Sequence, residues 1–115
     1  MLYTDFTVGN QTYKLRLNTR GIVMLEKTLG SNPLNIFGND LDNPTMPTIT
    51  SLVSILYVSL QQYQHGIDMN KAYDIFDDYI AEGHIPFDFI SVVMDIFKVS
   101  GIIPKDKEEA EVKNA

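Results

Sequence analysis

Two short segments at the start of the chain alternate between apolar and polar positions. Residues 2–8 and residues 11–17 both follow this period of two, which is typical of β-strands with one buried face. Gly9 and Asn10 separate the segments, and a two-residue connection of this composition favours a tight turn between paired strands. The pattern therefore predicts an antiparallel β-hairpin at the N-terminus.

The two-residue turn also fixes which residues of the hairpin face each other. It pairs Phe6 with Tyr13 and, at the far end, Leu2 with Leu17, so that all four lie on one apolar face. An isolated hairpin is marginal in water, so this face must pack on helices or on the sheet of another copy. The strand that contains Leu2 has a free edge unless something covers it, and free edges invite pairing. We therefore expect that the protein can form homo-oligomers.

Beyond residue 18 the apolar residues recur at the spacing of amphipathic helices, in four segments. Capping residues precede these segments and glycines follow them. A further single turn is expected at residues 34–37, and the Gly, Asn, Asp and Pro content of residues 38–47 predicts a surface loop. The predicted helices run from an N-cap at Thr19 to Gly30, from Thr48 or Thr50 to about residue 64, from Asp68 to Gly83, and from Pro86 to Gly101.

The distribution of apolar residues within these helices predicts how they pack. The second helix is apolar nearly all round, which indicates a buried central helix, and Ile49 is expected on its core-facing stripe. The third helix is amphipathic, and Tyr73 is expected on its inward face. Together these features predict an α+β fold, mostly helical, in which an N-terminal β-hairpin packs on about four α-helices.

The length of the chain fits one compact unit with a short extension. We expect residues 1–103 to form a single globular domain, since 115 residues lie in the commonest range of domain sizes. Residues 104–115 are charged and contain no pattern of core positions. They are therefore predicted to form a charged, flexible C-terminal tail.

The formal net charge of -6 is concentrated in the second half of the chain. Residues 1–65 contain four basic and four acidic residues, whereas residues 66–101 contain two basic and seven acidic ones, a balance of -5. Nucleic-acid backbones are bound by clustered Lys and Arg, so no nucleic-acid partner is expected. The acidic half is either an ordinary solvated face or a docking face for a basic partner.

Composition also bears on the compartment. The chain has no cysteine, so it forms no disulfide and no thiolate metal site. The longest apolar run lies within residues 52–60, is interrupted by Ser54 and Ser59, and is too short to span a bilayer. Met1 leads straight into an alternating strand, with no signal-peptide pattern. We expect a cytoplasmic protein without a membrane partner.

Few residues offer candidate chemistry. Asp74, Asp77 and Asp78 lie at i, i+3 and i+4 on one helix face and form an acidic ridge, which could bind a metal but more often remains solvated. His65 and His84 each follow a helix, where the dipole favours His, and they lack metal-ligand spacing. Catalytic and phosphate-binding motifs are missing from the sequence. It therefore predicts a non-enzyme without catalytic residue, metal or cofactor.

The aromatic residues are more numerous than a core of this size requires. Tyr57 and Phe87 are the two that we expect at the surface, as anchors for a protein partner. With the acidic ridge they make up the predicted partner-binding residues, namely Tyr57, Asp74, Asp77, Asp78 and Phe87.

Several motifs in fixed order carry a resemblance to a known family. They include Tyr13-Lys14-Leu15-Arg16-Leu17-Asn18-Thr19-Arg20, Leu25-Glu26-Lys27-x-Leu29-Gly30-x-Asn32-Pro33-Leu34, Leu60-Gln61-Gln62-Tyr63-x-His65-Gly66, and Ala72-Tyr73-Asp74-Ile75-Phe76-Asp77-Asp78-Tyr79-Ile80-x-Glu82-Gly83. Over about residues 11–103 the chain resembles the tail assembly chaperones of long-tailed, siphovirus-type phages and prophages of Gram-positive bacteria.

The resemblance implies a role in virion assembly. Such chaperones bind the aggregation-prone tape measure protein and help the tail tube protein to polymerise around it. They act in the cytoplasm of the bacterial host and are absent from the mature virion. The alternative from the residues alone is a small acidic adaptor or regulatory domain that binds a host or phage protein.

Overall fold

The fold is a β-hairpin followed by four helices, as the sequence predicts. In the computed structural model, residues 2–40 and 42–104 are described. The hairpin strands are β1 (Thr4–Val8) and β2 (Gln11–Leu15), which form a two-stranded antiparallel sheet. The predicted tail lies outside the described residues, apart from its first position.

The hairpin turn has the geometry that its glycine permits. Val8 pairs with Gln11, so Gly9 and Asn10 form a two-residue connection. Gly9 has a φ of 60°, and no residue other than glycine has a positive φ in the described part of the chain. The first turn residue therefore has a positive φ and the second does not. This combination is that of a type II′ turn, whose twist matches that of paired strands.

The register at the other end of the hairpin differs from the prediction. Phe6 does pair with Tyr13, but the last pair of the ladder is Thr4 with Leu15. Leu2 is 66% exposed, whereas Leu17 is buried, so the predicted pair of Leu2 and Leu17 on one apolar face is wrong. The chain after β2 turns toward the helices instead, because the Leu17 amide donates to Ser100 Oγ at 2.9 Å.

The helices begin near the predicted caps. Thr48 Oγ1 accepts the amide of Ser51 at 3.1 Å and caps the second helix. Asn18, rather than Thr19, caps the first, since its Oδ1 accepts the amide of Gly21 at 2.8 Å. Within residues 2–40 and 42–104, no helix is long and apolar enough to cross a membrane. The helices are α1 (Thr19–Leu29), α2 (Ile49–Leu60), α3 (Met69–Ala81) and α4 (Phe89–Val99), with 3₁₀ turns at Pro33–Phe37 and Pro86–Asp88.

Helix α2 ends at Leu60, about one turn earlier than predicted. Two glutamine side chains donate there to backbone carbonyls. Gln61 Nε2 donates to the carbonyls of Tyr57 and Ile67, at 2.8 and 3.0 Å, and Gln64 Nε2 donates to that of Leu60 at 2.8 Å. These side chains satisfy carbonyls at the helix end and allow the chain to turn.

The core lies between the sheet and the helices, with α2 at its centre. Strand β2 packs against α2, and β1 packs against α3 and α4. Phe89 is fully buried, and its ring lies 5.4 Å from those of Phe6 and Phe76. The buried apolar residues are Phe6, Val8, Leu15, Leu17, Leu25, Leu52, Val53, Ile55, Leu56, Val58, Leu60, Ala72, Ile75, Phe76, Tyr79, Phe89, Val93, Ile96 and Phe97.

Two residues predicted to face the core are instead exposed. Ile49 is 49% exposed because it lies in the first turn of α2, before the continuous buried segment begins. Tyr73 is 50% exposed. It follows Ala72, which is buried, and one residue of helix rotates the side chain by about 100°, out of the buried stripe.

Candidate functional site

The predicted partner-binding residues differ in how much surface they offer. Phe87 is 63% exposed, which is unusual for an aromatic ring. Tyr57 is half-buried and packs against the core, so most of its ring is already occupied. Asp74, Asp77 and Asp78 are all exposed on α3. Phe87 is therefore the stronger of the two aromatic candidates, and the acidic ridge is fully accessible.

Phe87 lies beside an open groove of about 640 Å³ between the end of α3 and the start of α4. We call it the α3–α4 groove. It combines aromatic, aliphatic and acidic side chains in one concave surface, and its lining residues are Tyr79, His84, Phe87, Asp88, Ile90 and Ser91.

Ring stacking and short-range hydrogen bonds fix the shape of the groove. The imidazole of His84 stacks on the ring of Tyr79, with 4.1 Å between the ring centroids and 6° between the planes. His84 Nδ1 lies 3.5 Å from Asp88 Oδ2, which also accepts the amide of Ile85 at 3.0 Å. Ser91 Oγ donates to the Asp88 carbonyl at 3.0 Å. The groove is thus preformed, which lowers the ordering cost of binding.

Burial in this groove raises the pKa of Tyr79 above its ordinary value of 10.0, and the nearby carboxylate of Asp88 raises it further. Both effects disfavour the phenolate in the folded state. Between the unfolded and folded pKa values the unfolded chain releases a proton that the folded chain keeps. The stabilising contribution of Tyr79 is therefore complete below pH 10 and is lost as the pH rises through the folded pKa.

We expect the free energy of unfolding to fall above pH 10, and Tyr79→Phe to make that fall less steep. Urea titrations between pH 8 and 11.5 measure the effect, and absorbance at 295 nm follows the phenolates. Tyr73→Phe, which removes an exposed phenol outside the groove, is the control. An identical pH dependence in Tyr79→Phe and the native protein would contradict the assignment.

Within residues 2–40 and 42–104, no group of three His, Asp or Glu side chains could hold a metal ion. An aromatic floor beside a carboxylate instead suits an apolar side chain or the cation of a Lys or Arg from a partner.

Two exposed residues near the predicted site were missed by sequence reasoning. Ile85 is 58% exposed in the connection between α3 and α4, and Tyr73 lies next to Asp74 on α3. Ile85 could have been found from its position between Gly83 and Pro86, outside any helix. The exposure of Tyr73 could have been predicted from a helical wheel whose buried stripe is centred on Ala72, because Tyr73 then lies outside the stripe.

A second pocket, of about 200 Å³, lies beside the start of α1. Arg16 and Arg20 are among the residues that line it. Arg16 Nη1 donates to the carbonyls of Leu2 and Val99, at 2.9 and 3.2 Å. Arg16 therefore joins the N-terminal segment to the end of α4 and serves the scaffold.

Comparison with known proteins places the chain in a family. No curated protein and no solved structure matches it. Residues 4–115 match the model of a family described as "Family of unknown function (DUF6096)". The match covers nearly the whole chain, including the hairpin, all four helices and the α3–α4 groove, and the protein therefore belongs to the DUF6096 family.

Proposed function

We propose that this protein is a non-enzymatic tail assembly chaperone, which binds the tape measure protein and assists polymerisation of the tail tube protein. It acts in the cytoplasm of the bacterial host and is absent from the mature virion. The resemblance over about residues 11–103 supports this role. The structural observation that carries it is the α3–α4 groove, where Phe87 exposes most of its ring beside the carboxylate of Asp88, with Ile85 exposed in the adjoining connection.

Large exposed apolar side chains rimmed by polar groups are characteristic of protein-binding surfaces. Phe87 supplies an aromatic anchor, and the stacked rings of Tyr79 and His84 form an apolar floor. Residues 66–101 have a charge balance of -5, which favours a basic client and speeds its association. A client segment with an apolar anchor and flanking Lys or Arg residues fits this surface.

A chaperone must also release its client. The groove is open and is lined by six residues, so it contacts only a short part of a client. Affinity then depends on a few contacts, and polymerising tube subunits can displace the chaperone. Electrostatic attraction contributes mainly to the rate of association.

The proposal predicts a tape measure gene beside the gene for this protein, and co-expression of the two proteins tests it. The intact protein should keep the tape measure protein in the soluble fraction and co-purify with it at low salt, whereas an unrelated acidic protein of similar size should do neither. Failure of the intact protein to retain the tape measure protein at low salt would overturn the chaperone assignment. The adaptor alternative would then be preferred.

Phe87→Ala should weaken client binding at least tenfold, because truncating a central aromatic anchor removes most of its contact area. Val23→Ala, which shortens a side chain that is 43% exposed on α1, is the matched control and should leave affinity unchanged. Biolayer interferometry with immobilised tape measure fragments gives the affinities. Equal weakening by both variants would show that the groove is not the client site.

The acidic ridge should affect kinetics more than affinity. Replacing Asp74, Asp77 and Asp78 by Lys should slow association and weaken its salt dependence, because peripheral charges steer encounter. The same interferometry measures the association rate between 50 and 500 mM salt. An unchanged rate would remove the ridge from the binding surface.

A further inference from the structure

The two edges of the β-hairpin differ in a way that points to a second binding surface. On the outer edge of β2, Gln64 acts like a residue of an adjacent strand. The Lys14 amide donates to Gln64 Oε1 at 2.7 Å, and Gln64 Nε2 donates to the Lys14 carbonyl at 2.9 Å. The Arg16 amide donates to the Ser59 carbonyl at 3.0 Å. The protein itself therefore closes this edge at Lys14 and, just beyond β2, at Arg16.

Within the described residues, the outer edge of β1 is closed only at the turn, where the Gly9 amide donates to Glu82 Oε1. Asp5 on β1 lies opposite Lys14 on β2. Because the amide and carbonyl of Lys14 point away from β1, the two residues form a non-hydrogen-bonded pair. The amide and carbonyl of Asp5 therefore point away from β2. Thr7, two residues later, repeats this orientation. Both residues are exposed, and no hydrogen bond from elsewhere in residues 2–40 and 42–104 reaches their backbone groups.

Such groups must be solvated, since buried and unpaired backbone groups are rare. A solvated row of amides and carbonyls is a template for strand addition. We propose that the outer edge of β1 binds an extended peptide segment of a partner, which adds as a third strand beside Asp5 and Thr7 and carries a Lys or Arg that faces Asp5.

The charge of the incoming segment follows from Asp5. Its carboxylate makes no ion pair within the described residues, although Lys14 lies opposite. The Lys14 ammonium is instead held 4.9 Å above the ring of Tyr3. On the other face of the strand, Leu2 is 66% exposed and offers an apolar contact. A segment in which basic and apolar residues alternate therefore complements both faces of the edge.

A second copy of this protein fits the edge less well than an isolated segment. Two-fold antiparallel pairing of β1 with itself would place the helices of both copies on the same side of the joined sheet. Phe6 on β1 already contacts the rings of Tyr79 on α3 and Phe89 on α4. Adjacent strands are about 4.8 Å apart, whereas packed helices need roughly 8–10 Å. A single strand brings no helices and avoids this conflict.

The test uses a labelled, end-capped peptide in which Lys and Val alternate over eight residues, added to the full-length protein. Amide resonances of Asp5 and Thr7 should shift on titration, and their hydrogen exchange should slow at least tenfold at saturation. The same peptide with alternate backbone amides N-methylated should not bind, because it cannot complete the ladder.

Variants locate the site. Thr7→Pro removes an outward amide and should weaken peptide binding at least tenfold, whereas Thr12→Pro removes the equivalent outward amide of β2 and should leave binding unchanged. Circular dichroism checks that both variants fold. If Thr7→Pro does not fold, Asp5→Lys serves instead, and it should weaken binding of the Lys peptide and strengthen binding of a Glu peptide.

Three results would overturn the proposal. The first is the absence of shifts at Asp5 and Thr7 with millimolar peptide. The second is shifts confined to another surface, such as the α3–α4 groove. The third is a concentration-dependent shift of both amides without peptide, which would assign the edge to a second copy. Client binding through Phe87 is measured separately, so failure here leaves the proposed function standing.

Discussion

Replacing Phe89 by alanine should lower the free energy of unfolding by about 3–5 kcal/mol, the largest effect that we expect from one substitution. Its ring is fully buried and lies 5.4 Å from the rings of Phe6 and Phe76 and 5.8 Å from that of Tyr79. Since these rings come from β1 and α3, the cavity would lie where the hairpin meets two helices. Surrounding side chains could not collapse into it without separating these elements.

Phe87→Ala is the matched control, because it removes the same side chain two residues earlier in the chain. That ring is 63% exposed, so stability should change by less than about 0.5 kcal/mol. Urea denaturation monitored by circular dichroism measures both variants. The two substitutions thus separate folding from binding: Phe89→Ala should impair stability, and Phe87→Ala should impair client affinity. Similar losses of stability in both would contradict the buried position of Phe89.

Gln64→Glu should destabilise the protein by about 2–3 kcal/mol, although it changes a single side-chain group. Gln64 Nε2 donates to the carbonyls of Lys14 and Leu60, at 2.9 and 2.8 Å. A carboxylate has no donor, so its negative charge would face both carbonyl oxygens. The Lys14 carbonyl would lose its donor at the edge of β2. The repulsion would also displace the carboxylate from the Lys14 amide, which now donates to Gln64 Oε1 at 2.7 Å, so the turn after α2 would lose its attachment to the sheet.

Gln62→Glu is the control for the change in charge, since Gln62 is exposed in the same turn. It should leave stability within about 0.5 kcal/mol of the native protein. Hydrogen exchange provides a second measurement, because the Lys14 amide should exchange faster only in Gln64→Glu. Equal exchange rates at Lys14 in both variants would show that Gln64 does not close the edge of β2.

Local patterns were sufficient to predict the elements. The alternation on both sides of Gly9-Asn10 predicted the hairpin and its register around Phe6 and Tyr13, because a two-residue turn allows one pairing. Helix starts at Asp68 and at Thr48 or Thr50 were predicted because N-capping is a contact within four residues, and Asp68 and Thr48 are the caps that form. These interactions are encoded over short stretches, where spacing in sequence equals spacing in structure.

Long-range packing decided which of the apolar residues are buried and which are exposed. Residue type alone placed Ile49 and Tyr73 inside, but exposure depends on which arc of each helix meets a neighbour. The same reason explains why Ile85 was missed and why Tyr57, although aromatic and expected at the surface, is half-buried. Hydrophobicity predicts that a residue can be buried, and only the positions of neighbouring elements determine whether it is.

The sequence by itself determined an acidic α+β protein with a hairpin and four helices, because periodicity, caps and charge are local or additive properties. The tertiary structure decided where surfaces form. It brought His84 against Tyr79 and Asp88 to shape the α3–α4 groove, and it placed Gln64 against β2, fifty residues from Lys14. Such contacts depend on how distant segments meet in the folded chain. For that reason the backbone of Lys14 is paired by a distant side chain, whereas no described residue bonds the outward backbone groups of Asp5 and Thr7.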